Sequence, residues 1–327
     1  MTESATLERV LVDADPARTP RGSTPDARAV QDRERILRRA RARAPRPRGS
    51  SIAGWAIGAT AVAASAALAV AVFVPQTAAV AGAPAPLDFD EAGSVSDIVD
   101  DARTALSTGG PVEAQRTVRS ASWSFSVDLG REESEIVPQL VALDWRPDLS
   151  ATAVAYDGVP YAPDDAEANI GAEVSSSGEV SWQVDTPAGG FEVPLRDLVG
   201  SSRTEVLDLL HAYWLPQEYT ASDVVTALSS VLGQWTPTNA QEAEMLAILA
   251  ESDGVEALGS TVDRLGRAAT ALRVPTPDGS ASDVVLISAD TGRVIGIERT
   301  WLGEDDVFPT GAVISYQLWD VDEGILR

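Results

Sequence analysis

Residues 202–249 read SRTEVLDLLHAYWLPQEYTASDVVTALSSVLGQWTPTNAQEAEMLAIL, and three helix starts follow one another inside this stretch. Ser202-x-x-Glu205 is a capping box: the hydroxyl accepts from the backbone N–H three residues on, and the carboxylate there reaches back to the first N–H. Thr220-x-x-Asp223 and Thr238-x-x-Gln241 repeat the arrangement. Behind the boxes come Val206, Leu209, Leu210 and Tyr213, then Val224, Leu228 and Val231, then Met245, Ile248 and Leu249. Each set falls on one face of a helix. A fourth box, Ser94-x-x-Asp97 before Ile98 and Val99, predicts a helix upstream.

On either side of the three helices the apolar period changes to two. Ala121, Trp123, Phe125 and Val127 alternate with Ser120, Ser122, Ser124 and Ser126. The same alternation carries Val141, Leu143 and Trp145, then Thr152, Val154 and Tyr156, then Val180, Trp182 and Val184. Near the C-terminus it returns loosely at Ile295, Ile297 and Trp301, and again at Ile314, Tyr316 and Leu318. Alternation of this kind marks half-buried strands. Helices clustered between two blocks of strands predict an α+β domain over residues 91–327. Its sheet is expected to be mainly antiparallel and curved, with one apolar face covered by the helices.

Charge divides the chain. Net charge is −24, yet residues 1–50 hold twelve Arg against seven carboxylates, while residues 76–327 hold thirteen Arg against forty-two. Between them, residues 52–74 (IAGWAIGATAVAASAALAVAVFV) carry no charge. At about 1.5 Å per residue such a helix spans about 34 Å, enough for a hydrocarbon core of about 30 Å. Pro75 ends it. Nine Arg lie between Arg28 and Arg48, and residues 76–90 have no basic residue, so the positive-inside rule puts the N-terminus in the cytoplasm. The expected protein is therefore a single-pass membrane protein, with residues 1–50 a largely disordered Arg-rich tail and residues 75–90 a Pro/Ala linker lifting an extracytoplasmic domain off the bilayer. Ala79-Val80-Ala81 has the form of a signal-peptide cleavage site. The apolar run and the preceding tail are both longer than signal peptides have, which favours an uncleaved anchor. The basic run of Arg33, Arg35, Arg38, Arg39, Arg41 and Arg43 suits anionic lipid or, alternatively, docking of a cytoplasmic partner. No aromatics interleave it, so no nucleic acid is expected.

Composition removes several chemistries. All twenty-five basic residues are Arg and there is no Cys, so P-loops, lysine Schiff bases, thiol nucleophiles, disulfides and Cys-based zinc sites are excluded. Asp290-Thr291-Gly292 matches half of an aspartic-protease site, but that chemistry needs two facing copies, and apolar runs on both sides mark a hairpin turn instead. His211, the only histidine, sits on the capped helix beside Leu210, with no Gly-x-Ser-x-Gly elbow to serve. The acidic clusters at Asp88/Asp90/Glu91, Asp164/Asp165, Glu304/Asp305/Asp306 and Asp320/Asp322/Glu323 lack EF-hand spacing and read as solvated loops. No enzyme activity, metal or cofactor is expected.

One further pattern spans the outer domain: Asp253-Gly254-Val255 through Gly259, then Asp263, Gly266-Arg267-Ala268-Ala269, then Asp290-Thr291-Gly292 with Ile295 and Glu298. With the anchor, it resembles actinobacterial single-pass proteins often encoded beside RNA polymerase sigma factors. Their outer domain is similar to the lipoprotein-carrier half-barrel, also seen in the periplasmic regulator of the envelope-stress sigma response. The resemblance covers residues 115–320, although the tail lacks the His and Cys of zinc-type anti-sigma domains. It implies a concave face able to hold a lipid, an acyl chain or a lipoprotein, with Trp123, Trp145, Trp182, Trp301 and Trp319 as candidate lining or, alternatively, plain core. It also implies a membrane-anchored sensor or regulator that binds a hydrophobic ligand or an envelope protein and is linked to a sigma factor. The alternatives are a tethered lipid or lipoprotein carrier without signalling and, more remotely, an exported hydrolase.

Overall fold

All four capping boxes form. In the computed structural model, which describes residues 82–90, 93–124, 137–304 and 308–326, Asp97 N donates to Ser94 Oγ and Ser94 N to Asp97 Oδ2, both at 3.1 Å. This box opens helix α1 (Val95–Thr108), which buries Ile98, Val99, Ala102 and Leu106. The boxes at Ser202, Thr220 and Thr238 open α2 (Arg203–Ala212), α3 (Ala221–Leu232) and α4 (Asn239–Ala250). A last turn, α5 (Glu323–Leu326), closes the described chain.

The fold is α+β. Strands β1 (Thr117–Ser124), β2 (Gln139–Trp145), β3 (Ala151–Gly158) and β4 (Ser176–Thr186) precede α2–α4. Strands β5 (Glu256–Val262), β6 (Ala268–Pro275), β7 (Ala281–Ser288), β8 (Val294–Trp301) and β9 (Val313–Trp319) follow them. They form one antiparallel sheet in the order β4-β3-β2-β1-β9-β8-β7-β6-β5. Two meanders thus meet where β1 pairs with β9, and the helices join one outer strand to the other.

Both faces of this sheet are buried, which corrects the expectation of a single apolar face. α1–α4 cover one face, burying Val118, Leu143, Trp145, Leu272, Val285, Ile297 and Trp319. The other face buries Ala121, Trp123, Leu140, Ala271, Val284, Leu286, Tyr316 and Leu318 under residues from 83, 161, 174, 321 and 326. The cause is visible in β7, where seven consecutive positions, Ala281 to Ile287, are buried, so that neither side of the strand faces water.

Residues 82–90, expected within a spacer, are packed on the domain. Ala83 and Ala85 are buried, Gly82 N donates to Ala162 O at 2.8 Å, and Arg264 Nη2 donates to Ala85 O at 2.7 Å. Asp90 N donates to Ser260 O at 2.9 Å, and Thr261 Oγ1 to Asp88 O at 2.7 Å. The strap thereby covers the outer strand β5, whose unpaired backbone groups would otherwise template aggregation. The expected cytoplasmic tail, the expected membrane helix at 52–74, the candidate cleavage site at Ala81, the six arginines of the basic run, Phe125 and Val127 lie outside the described residues. Among the described residues no helix is long and apolar enough to cross a membrane.

Candidate functional site

A cleft of about 1190 Å³ lies beside the helical layer. Its walls are the second half of α1, the connector at 109–116, the segment at 197–201 and the first turns of α4. Leu106, Ala114 and Trp235 line its apolar part, and Trp235 is only 1 % exposed. Two valines stand at its edge almost wholly in solvent, Val112 at 87 % and Val199 at 78 %.

Arg116 builds the wall. Its guanidinium lies 5.1 Å from the Trp145 ring centroid and 5.0 Å from that of Trp235, where each aromatic face attracts the cation. The two indoles meet edge to face at 4.6 Å, and Trp145 Nε1 donates to Gln234 O at 2.7 Å. From this seat Arg116 Nη2 donates to Arg196 O at 2.8 Å and pairs with Asp197, which draws the 196–198 backbone over the rings. Gln241 Nε2 donates to Gly200 O at 2.9 Å, so α4 holds the same wall from its capping residue. Asn239 closes the far side: its amide nitrogen donates to Leu106 O at 2.9 Å, at the end of α1.

Beneath α4 lies a buried charge network. Glu242 is fully buried, pairs with Arg293 at 2.9 Å and accepts from Val294 N. Arg293 also donates to Asp320 at 2.8 Å and to Asn239 Oδ1 at 3.0 Å. Burial pushes the Glu242 carboxyl up to about 7 against the pull of Arg293. A second buried pair, Arg264 with Glu298, lies on the opposite face of the sheet, where Tyr161 Oη donates to Tyr316 Oη at 3.1 Å. Burial raises the Glu298 carboxyl as well, with Arg264 pulling the other way.

The five candidate tryptophans are not brought together. Trp123 packs on the face away from the helices, stacked on Tyr316 at 6.1 Å and edge-on to Tyr161 at 5.9 Å. Trp145 and Trp319 belong to the core under the helices. Trp301 packs with Phe308, Ala281, Ala312 and Ile314 in a separate cluster. Trp182 lies on the outer strand β4 and is 38 % exposed. Trp235 and Arg116, which do shape the cleft, escape sequence reasoning because both sit outside periodic segments. The one local signal is an aromatic residue three positions ahead of the Thr238 cap.

The turns form where the sequence predicts them. Gly292 has φ 74° and ends the Asp290-Thr291-Gly292 turn, where Gly292 N donates to Ser288 O at 2.9 Å. Asp263 Oδ1 accepts from Leu265 N and Arg267 N, both at 2.9 Å, and so shapes the β5–β6 turn. His211 Nδ1 sits 2.7 Å from Leu215 O and, as its donor, satisfies a carbonyl just past α2. Among the described residues no group of three or more His, Asp or Glu side chains is placed to hold a metal ion. No family model matches this chain, and comparison with curated proteins finds no relative.

Proposed function

We propose that the protein is a membrane-anchored regulator whose extracytoplasmic domain takes a hydrophobic ligand, or a segment of another envelope protein, into the cleft between α1 and α4. The Arg-rich tail then passes the occupied state to a cytoplasmic partner such as a sigma factor. The observation that carries this reading is the cleft itself: about 1190 Å³, with half-buried Ala114, Leu198 and Ala243 in its wall and Val112 and Val199 standing in water at its edge. Isolated exposed valines need no explanation, but two on the rim of one cleft of mixed polar and apolar lining suit a guest with apolar groups. A curved, half-barrel form of the nine-stranded sheet belongs to the same reading, as does a role that is binding rather than catalytic.

Native mass spectrometry on the full chain, extracted from membranes in detergent, tests it. An adduct on the wild type that disappears in Ala240→Trp is expected, because Ala240 is an exposed lining residue and an indole there fills the cleft. A wild-type spectrum free of adducts removes the hydrophobic-ligand form of the proposal. A tethered carrier uses the same cleft, so a second arm separates signalling from carriage. Removing residues 1–45 leaves Arg46 and Arg48 to orient the anchor. A regulator loses its cellular output in that variant, whereas a carrier keeps it.

A further inference from the structure

We infer that the guest of the α1–α4 cleft is a basic, apolar-rich peptide segment of a protein, and not an anionic lipid. The inference rests on the cleft reading above and narrows it. Charge decides between the two classes. Residues 76–327 carry forty-two carboxylates against thirteen Arg, so an incoming phosphate or carboxylate headgroup is repelled and an incoming cation is drawn in. The lining has the same bias. Asp197 is matched by Arg116 and Glu244 by Arg203 at 3.3 Å. Among the described residues Asp100 and Glu113 have no ion-pair partner, and Arg103 is the single lining cation without one.

The arrangement also suits a peptide in shape. Asp100 and Glu113 are exposed, one on α1 and one on the connector that carries Val112. A chain laid in the cleft thus meets apolar surface at the two rim valines and the half-buried Ala114, Leu198 and Ala243, and carboxylates beside it. Arginine or lysine stems cover apolar surface while their charged heads stay in water next to an acid, so alternating basic and apolar side chains satisfy both parts. A phospholipid can set its phosphate beside Arg103 alone, against two unpaired carboxylates and the field of the whole domain.

The test uses the full chain in phosphatidylcholine nanodiscs, with empty discs as blank. The probes are a fluorescein-labelled peptide Arg-Leu-Arg-Val-Leu-Arg-Leu, the same peptide with Glu for each Arg, and phosphatidylglycerol. Fluorescence anisotropy is expected to show the Arg peptide binding at least roughly tenfold tighter than the Glu peptide, and weakening as salt is raised from low ionic strength. The double variant Asp100→Arg, Glu113→Arg is expected to lose about tenfold in affinity, and Ala240→Trp to abolish binding. All three positions are exposed, and thermal unfolding of each variant confirms the fold is kept. Equal binding of the two peptides, or indifference to the double charge reversal, overturns the inference. Phosphatidylglycerol binding that Ala240→Trp removes, with no peptide binding, also overturns it while leaving the cleft reading in place. If neither probe binds, both fall.

Discussion

Glu242 is the residue whose chemistry has the clearest consequence. A carboxyl held at about 7 in the folded protein, against the ordinary value of 4.5, keeps its proton where the unfolded chain has lost it. The folded state then binds more protons between those values, so its stability falls as pH rises from about 4.5 through about 7. The full effect is about 3 kcal/mol, since each tenfold change in proton affinity is worth about 1.4 kcal/mol. Denaturant unfolding of the wild type and Glu242→Gln across this range is expected to show a steeper fall in the wild type, since the raised Glu298 carboxyl contributes a slope of the same sign to both. Gly292 is the second informative residue. Its positive φ favours glycine, and a Cβ there would overlap the Ala102 carbonyl of α1. Gly292→Ala is therefore expected to cost more than about 2 kcal/mol, read by chemical denaturation. Gly279 tests the account: it shares the positive φ but has open space around it, and Gly279→Ala is expected to cost less.

Among the elements, α4 links the cleft to the core, because its N-cap and first turn line the cleft while Met245, Leu246, Ile248 and Leu249 are fully buried. Thr238→Ala removes the acceptor for Gln241 N and is expected to lower stability by about 1 kcal/mol. The strands make a sharper comparison. Trp145 on β2 is 3 % exposed and packed against Trp235 and Phe191, whereas Trp182 on β4 is 38 % exposed. Trp145→Ala is expected to cost about 3–5 kcal/mol and Trp182→Ala about 1 kcal/mol or less, measured by urea unfolding. β4 is an outer strand carrying exposed Val180 and Val184, and the two register shifts in its pairing with β3 interrupt the flat edge that another chain would need.

For the molecule as a unit, the strap at 82–90 matters most. It begins eight residues past the end of the apolar segment that suggests an anchor, yet it is built into the domain through Ala83, Ala85 and the Ala85 carbonyl. A chain beginning at residue 91 loses that burial and leaves Arg264, buried beside Glu298, short of an acceptor. It is expected to be less stable than a chain beginning at residue 82 by about 3 kcal/mol or more, seen as a lower Tm. If the two melt together, the strap is an ornament of the fold and not a part of it.

Helix starts are legible along the chain because a capping box is local chemistry: a few neighbouring residues decide it, and all four form at the predicted positions. The hairpin turn at Asp290-Thr291-Gly292 is legible for the same reason. Strand existence is legible from period two, but depth is not. The alternation puts Thr152, Val154 and Tyr156 on the buried side of β3, whereas the structure buries Ala151 and Ala155 more deeply. Alternation reports two faces, and which of them is more deeply covered depends on chain far away in sequence. The same limit separates the five tryptophans, since the order β2-β1-β9-β8 and its register set which face each indole takes. The cleft is out of reach altogether. It is assembled from α1, the 109–116 connector, the 197–201 segment and α4, and only folding brings the Arg116 cation between Trp145 and Trp235.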